Sequence, residues 1–286
     1  MTRWLRGLLA ALVLLASGLG GTGALAAGRL IPQPADAGFA NLPSDTLAMP
    51  GAMTWATNCR EPLTAGNLQQ GAANPRAWRF VVFSGDIPPG DVGRIPARSR
   101  CEWSGSAMKV SYGPVYWQVF SQRIGCFSVT ASRQLYFGQW HAADDDSDVS
   151  PSHPIWAIRQ DTATRIRVTY SGSIDDNTTI VDSTAYTDNS FVCGQWYDWV
   201  FRSVFSKTGA GELSVWRRIA GGSWIQVVNL TGINMGYNDV AGPYWKWGYY
   251  GYDDPATVTV DYANQEFPTT TDLSGRVTEG AWPHPK

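Results

Sequence analysis

Apolar and polar residues alternate along much of this chain with a period of two, and the alternation is interrupted by short runs of turn residues. Successive side chains of a strand leave opposite faces, so this period predicts half-buried β-strands. Strand-like segments run over 78–83, 107–112, 115–120, 166–170, 196–205, 213–218, 224–228 and 256–262. Long helical periodicity is missing, and no internal repeat marks a propeller or solenoid. Many short strands joined by Gly-rich turns predict an all-β sandwich or barrel.

The pattern starts late. Residues 1–27 read as a signal peptide: Arg3 and Arg6 open it, Leu8 to Leu15 form an apolar core too short to span a bilayer, and Ala24-Leu25-Ala26 supplies a small-x-small cleavage signal. Residues 28–75 are rich in Pro, Gly, Ala and Asn, with Pro32, Pro34, Pro43, Pro50 and Pro62 punctuating them, which predicts an irregular N-terminal arm. Residues 76–286 hold the strands, and arm and strands are expected to form one structural domain. No cysteine follows the leader's apolar core, which argues against a lipid anchor, and no later apolar run is long enough for a membrane span. The expected location is secreted or periplasmic, with no membrane partner.

That location governs the cysteines. Cys59, Cys101, Cys126 and Cys193 are an even set in an oxidising setting, so two disulfides are expected, with three pairings open. None has the tight spacing of a zinc site. Fourteen tryptophans and twelve tyrosines against 16% charged residues fit aromatic-rich sheets and surfaces that stack on sugars. The net charge is −2, and loss of Arg3 and Arg6 with the leader takes it to −4, which disfavours a nucleic-acid partner.

Three stretches carry unusual polar content. In Arg98-Ser99-Arg100-Cys101-Glu102-Trp103, alternation puts Arg100 and Glu102 on one face, where the Glu can pin the guanidinium and leave donors for a second anion. In Tyr136-Phe137-Gly138-Gln139-Trp140-His141, Gln139 and His141 project together while Trp140 packs the other way. His141 stands out among three histidines, since His153 precedes a proline and His284 lies in a Pro-flanked tail. In the run from Tyr244 to Tyr252, Tyr244, Lys246, Gly248, Tyr250 and Tyr252 share one face, and Trp245, Trp247, Tyr249 and Gly251 the other. A cation, phenols and a position without a side chain suit a polysaccharide groove, with Gly248 letting a sugar approach the backbone. The run from Asp144 to Asp148 has four carboxylates in five positions and reads as a solvated acidic loop, with a structural Ca²⁺ as the alternative, since it lacks the spacing and glycine of an EF-hand.

Taken in order, Arg100-x-Glu102, Gln139-x-His141 and Tyr244-x-Lys246-x-Gly248-x-Tyr250 resemble the signature of the jelly-roll polysaccharide lyases, the group containing alginate, heparin and glucuronan lyases. The runs 194–200 and 211–216 look like the heparin and glucuronan lyase side, and the resemblance covers roughly residues 78 to 262. Ser104 stands where alginate lyases often carry a further Arg, and Trp140 where a small aliphatic residue is common. The resemblance implies a concanavalin-like β-jelly-roll sandwich of two antiparallel sheets. It also implies β-elimination on a uronic-acid polysaccharide, leaving an unsaturated uronate end. That reaction removes the C5 proton beside a carboxylate and expels the 4-linked oxygen, so the carboxylate's charge must be neutralised as negative charge develops. By resemblance Gln139 and Arg100 form the clamp, His141 and Tyr250 supply base and acid, and Lys246, Tyr244 and Glu102 bind substrate. The division of roles between His141 and Tyr250 stays open.

No cofactor is required by that chemistry. The expected partner is an anionic polysaccharide, met by a monomer through a local basic groove, for which Arg79, Arg123, Arg133 and Arg159 are unassigned candidates. Two alternatives share the fold class. A glycoside hydrolase needs two carboxylates flanking a cleft, and of five glutamates only Glu102 and Glu212 lie in strand-like stretches, Glu212 at an expected hairpin tip. A non-catalytic carbohydrate-binding β-sandwich would explain the aromatics but has no use for the Gln-x-His pair.

Overall fold

The computed structural model describes residues 68–70, 78–83, 98–105, 109–129, 135–145, 153–175, 178–252 and 257–282, with residues 87, 92, 93 and 284. The expected signal peptide and most of the expected arm lie outside these. Among the described residues thirteen strands carry the fold: β1 (Leu68–Gln70), β2 (Trp78–Val82), β3 (Arg98–Ser104), β4 (Val115–Ile124), β5 (Leu135–Ala143), β6 (Trp156–Thr162), β7 (Arg165–Gly172), β8 (Val181–Asp188), β9 (Trp196–Val204), β10 (Ser206–Ile219), β11 (Ile225–Met235), β12 (Ala241–Tyr252) and β13 (Val258–Thr269). They form two antiparallel sheets, one ordered β1-β2-β13-β4-β9-β10-β11 and the other β3-β12-β5-β6-β7-β8. The only described helix is a 3-10 turn over Ser274–Thr278.

This is the expected jelly-roll sandwich, and alternation builds its core. Trp245, Trp247 and Tyr249 of β12 point inward, as do Trp140 of β5, Trp156 of β6, Phe120 of β4, Trp199 and Phe201 of β9, and Tyr262 of β13. Trp156 stacks on Phe201 with ring centroids 4.1 Å apart, joining the two sheets. The tryptophan that departs from the common motif is part of this layer: Trp140 packs on Phe205 at 4.8 Å and donates its indole N–H to Gln118 Oε1 at 3.0 Å.

Several expectations shift. Leu68–Gln70, within the stretch read as an arm, pairs with β2 at the sheet edge. Lys109–Tyr112 forms no strand, although Val110 N–H donates to Pro243 O. Strands β6 and β8 were not expected; β8 is an edge strand with exposed or half-exposed side chains over most of its length, so it lacks an apolar alternation to read. Glu212 lies inside β10 paired to Arg202 at 2.6 Å, away from any hairpin tip. Cys126 and Cys193 form one disulfide, closing β4 onto the turn before β9, and Cys101 is also disulfide-bonded.

Candidate active site

Strands β3, β12 and β5 are neighbours, and their register brings the three sequence motifs together. Tyr250 stands opposite Arg100 and Gly248 opposite Glu102 across β12 and β3; Lys246 stands opposite Gln139 and Tyr244 opposite His141 across β12 and β5. Directly opposed residues have Cβ atoms about 5 Å apart, so these side chains form one continuous patch on the face turned away from the core.

Glu102 anchors the middle of the patch. Its carboxylate is buried, accepts a hydrogen bond from Gln139 Nε2 through Oε1, and holds the Lys246 ammonium 3.6 Å from Oε2. The sequence suggested that Glu102 would pin Arg100. It turns instead to Gln139 and Lys246, because Gly248 opposite it leaves the diagonal neighbours within reach. One N–H of the Gln139 amide is thereby fixed, and the second is left to face another acceptor.

His141 is held in its neutral form here. Its Nδ1 lies 2.7 Å from Ala142 O, which places the proton on Nδ1 and leaves the Nε2 lone pair open. Burial, then the Lys246 charge, lowers its pKa to about 4, outweighing the Ala142 hydrogen bond that acts the other way. Tyr244 stacks on the imidazole at 5.4 Å, and burial and the Glu102 charge push its phenol up to about 12. Tyr250 lies under the Arg100 guanidinium, 5.5 Å from its ring centroid, and 5.6 Å from the ring of Tyr136.

Two glycines shape the patch. Both Gly138 and Gly248 have positive φ, +119° and +124°, and the register between β5 and β12 shifts between Lys246 and Tyr250. Gly248 was expected to let a sugar approach the backbone; the neighbouring strand supplies the stronger reason, since a Cβ there would strike Cys101 O and come within 2.9 Å of Glu102 Cα. From inside the sandwich the buried Tyr262 phenol reaches both irregularities, 2.7 Å from Phe137 O and 3.2 Å from Gly248 O, and Gln122 Nε2 donates to Phe137 O at 2.5 Å.

The irregularity in β5 also hid Tyr136. Strict alternation sends Tyr136 to the core side with Trp140, yet its ring meets Tyr250 and the guanidinium of Arg159, 5.1 Å from its centroid. An isolated glycine inside a strand is the signal that would have revealed the change of face. Of the other unassigned arginines, Arg123 pairs with Asp261 at 2.8 Å on the second sheet, Arg79 lies on β2 of that sheet, and Arg133 lies outside the described residues. The Tyr252 side chain lies outside the described ones as well. In the acidic run, Asp145 accepts from Val240 N at 2.9 Å, and Asp146 to Asp148 lie outside the described residues. Among the described residues no group of three potential metal ligands occurs.

A family model described as polysaccharide lyase matches residues 71–271. An endo-β-1,4-glucuronan lyase from the fungus Trichoderma reesei superposes with a TM-score of 0.55 at 14% identity, covering 74% of this chain and 90% of that one. A β-glucanase catalytic domain from Podospora anserina gives 0.50 at 11% identity, over 77% and 85% of the two chains. An alginate lyase from Pseudomonas aeruginosa gives 0.43 at 18% identity, over 71% and 85%. The fold is thus shared with the glucuronan lyase and with the β-glucanase, and shape alone does not separate them. A comparison with curated proteins finds no match.

Proposed function

The chain belongs to the polysaccharide lyase family, and from that premise we propose that it cleaves a uronate-containing polysaccharide by β-elimination at the β3-β12-β5 patch. The observation that carries the proposal is the register that sets Gln139, His141, Arg100, Lys246 and Tyr250 on adjacent positions of one face. Each does one part of the chemistry.

The uronate carboxylate binds the second N–H of Gln139, with Arg100 and Lys246 supplying positive charge. This offsets the negative charge that spreads into the carboxylate as the C5 proton leaves. Glu102 holds Gln139 and Lys246 in place and does not itself meet the sugar. His141, neutral and with Nε2 open, takes the C5 proton; the C5–H electrons form the C4–C5 double bond, the C4–O4 bond breaks, and Tyr250 O–H protonates the departing oxygen. Tyr244 packs on the imidazole and fixes its plane. These steps are completed by side chains alone.

A structural Ca²⁺ on the acidic run from Asp144 to Asp148 stays the alternative to a solvated run, outside that chemistry. The leader and the disulfides support export, with the mature chain beginning near Ala27 or Gly28 and acting as a monomer.

Alginate, glucuronan and glycosaminoglycans, each incubated with purified protein, are the test. One of them should yield an unsaturated uronate that absorbs in the ultraviolet, and His141→Asn and Tyr250→Phe should each lower kcat by about 10²–10⁴-fold. New reducing ends without ultraviolet absorbance would instead identify a hydrolase.

A further inference from the structure

One register row crosses five strands of the site sheet: Arg100 on β3, Tyr250 on β12, Tyr136 on β5, Arg159 on β6 and Arg167 on β7. Side-chain contacts follow the row. Arg100 covers the Tyr250 ring, Tyr250 meets Tyr136, and Arg159 covers Tyr136 at 5.1 Å. From Arg100 to Arg159 the row spans three strand spacings of about 4.8 Å each, longer than a single sugar ring.

The two arginines at the far end differ in charge balance. Arg167 pairs with Asp161 at 2.9 Å, and Asp161 also holds Arg165 at 2.7 Å. Among the described residues Arg159 makes no ion pair with a carboxylate, and its guanidinium rests on the face of Tyr136. A half-buried guanidinium resting on a phenol ring, with no ion pair to a described carboxylate, is suited to receive an anion. A uronate polymer brings a carboxylate on every sugar. The reacting sugar's carboxylate is met at Gln139, so the next anion along the row falls to Arg159.

We propose that Arg159, seated on Tyr136, is a second carboxylate-binding subsite that grips a neighbouring uronate of the bound chain and selects polymers charged on consecutive sugars. This rests on the lyase reading for the position of the reacting sugar. Arg159 touches substrate in this assignment but not the bonds that change.

The test uses the full chain, with di- and hexasaccharides of alginate and of glucuronan as probes, measuring Kd by calorimetry and turnover by ultraviolet absorbance. Arg159→Ala should weaken hexasaccharide binding about tenfold, a loss of about 1.4 kcal/mol, with a clearly smaller loss for the disaccharide and a shallower salt dependence. Arg159→Lys should recover part of the loss, and an unchanged thermal midpoint shows that the fold is intact. Turnover by wild type with equal hexasaccharide binding by Arg159→Ala overturns the subsite and leaves the lyase reading standing. Binding that depends on Arg159 without any unsaturated product supports the subsite and sinks the elimination chemistry. A wild-type protein that neither binds nor cleaves any probe overturns both.

Discussion

At the scale of single residues, His141 shows how environment sets chemistry. Its folded pKa of about 4 lies below the ordinary 6.5, chiefly through burial and then through Lys246. Between those values an unfolded chain binds a proton that the folded one refuses, so stability falls as pH drops from 6.5 towards 4. The full effect is on the order of 3 kcal/mol. The same shift keeps the base unprotonated in mild acid. Activity as kcat/KM should hold from neutrality to about pH 5 and decline below about pH 4, and His141→Asn should flatten the stability change over that window in denaturant titrations at each pH. An acid limb centred near the ordinary histidine value would mean that the imidazole is solvated. The residue types of this site were legible in the sequence because chemistry restricts them: an amide, an imidazole and a lysine on alternating strand positions stand out against apolar neighbours. Their partners were not legible. Glu102 reads as the natural mate of Arg100 two positions away, and only the cross-strand register shows that it serves Gln139 and Lys246.

At the scale of elements, the site depends on two strands that depart from regular pairing. Sequence alternation located β12 and the facing of its aromatic side chains, since Trp245, Trp247 and Tyr249 had to be inside. It misplaced Tyr136, because Gly138 changes the face of β5 and alternation presumes an unbroken pleat. The departure is held from the opposite sheet by the Tyr262 hydroxyl, shared between Phe137 O and Gly248 O, with Gln122 and Gly248 N–H donating back to it. Tyr262→Phe leaves Gly248 O without that donor and should cost about 1–3 kcal/mol in chemical denaturation. It should also reduce kcat, since Gln139 and Tyr250 flank the two irregularities. A loss of stability with kcat intact would show that the strands keep their course without the phenol.

At the scale of the whole molecule, the two sheets divide labour. The site occupies the outer face of one, while the outer face of the other is closed by the C-terminal segment. Leu273 and Trp282 cover Trp117, Val119 and Val200 there, in contact with Trp216 and Trp224. Below them sits a buried charge: Asp198 accepts from Arg218 Nε and Ser121 Oγ, each at 2.6 Å, and His284 Nε2 lies 2.6 Å from its Oδ1. Arg218 lies between the rings of Trp224 and Trp282, 4.4 and 4.8 Å from their centroids, and donates to Glu279 O and Gly280 O. Nothing in the Pro-flanked sequence around His284 announced this, because its partners lie more than sixty residues away. Deleting residues 279–286 exposes the Trp117 cluster and strips Arg218 of two acceptors. Loss of a buried tryptophan alone costs about 3–5 kcal/mol, which for a domain of this size lowers the thermal midpoint by roughly 10 °C. Substrate affinity should survive, because the segment packs on the sheet that does not carry the β3-β12-β5 patch. A truncated protein that melts like the full chain would show that the segment rests on the sheet without stabilising it.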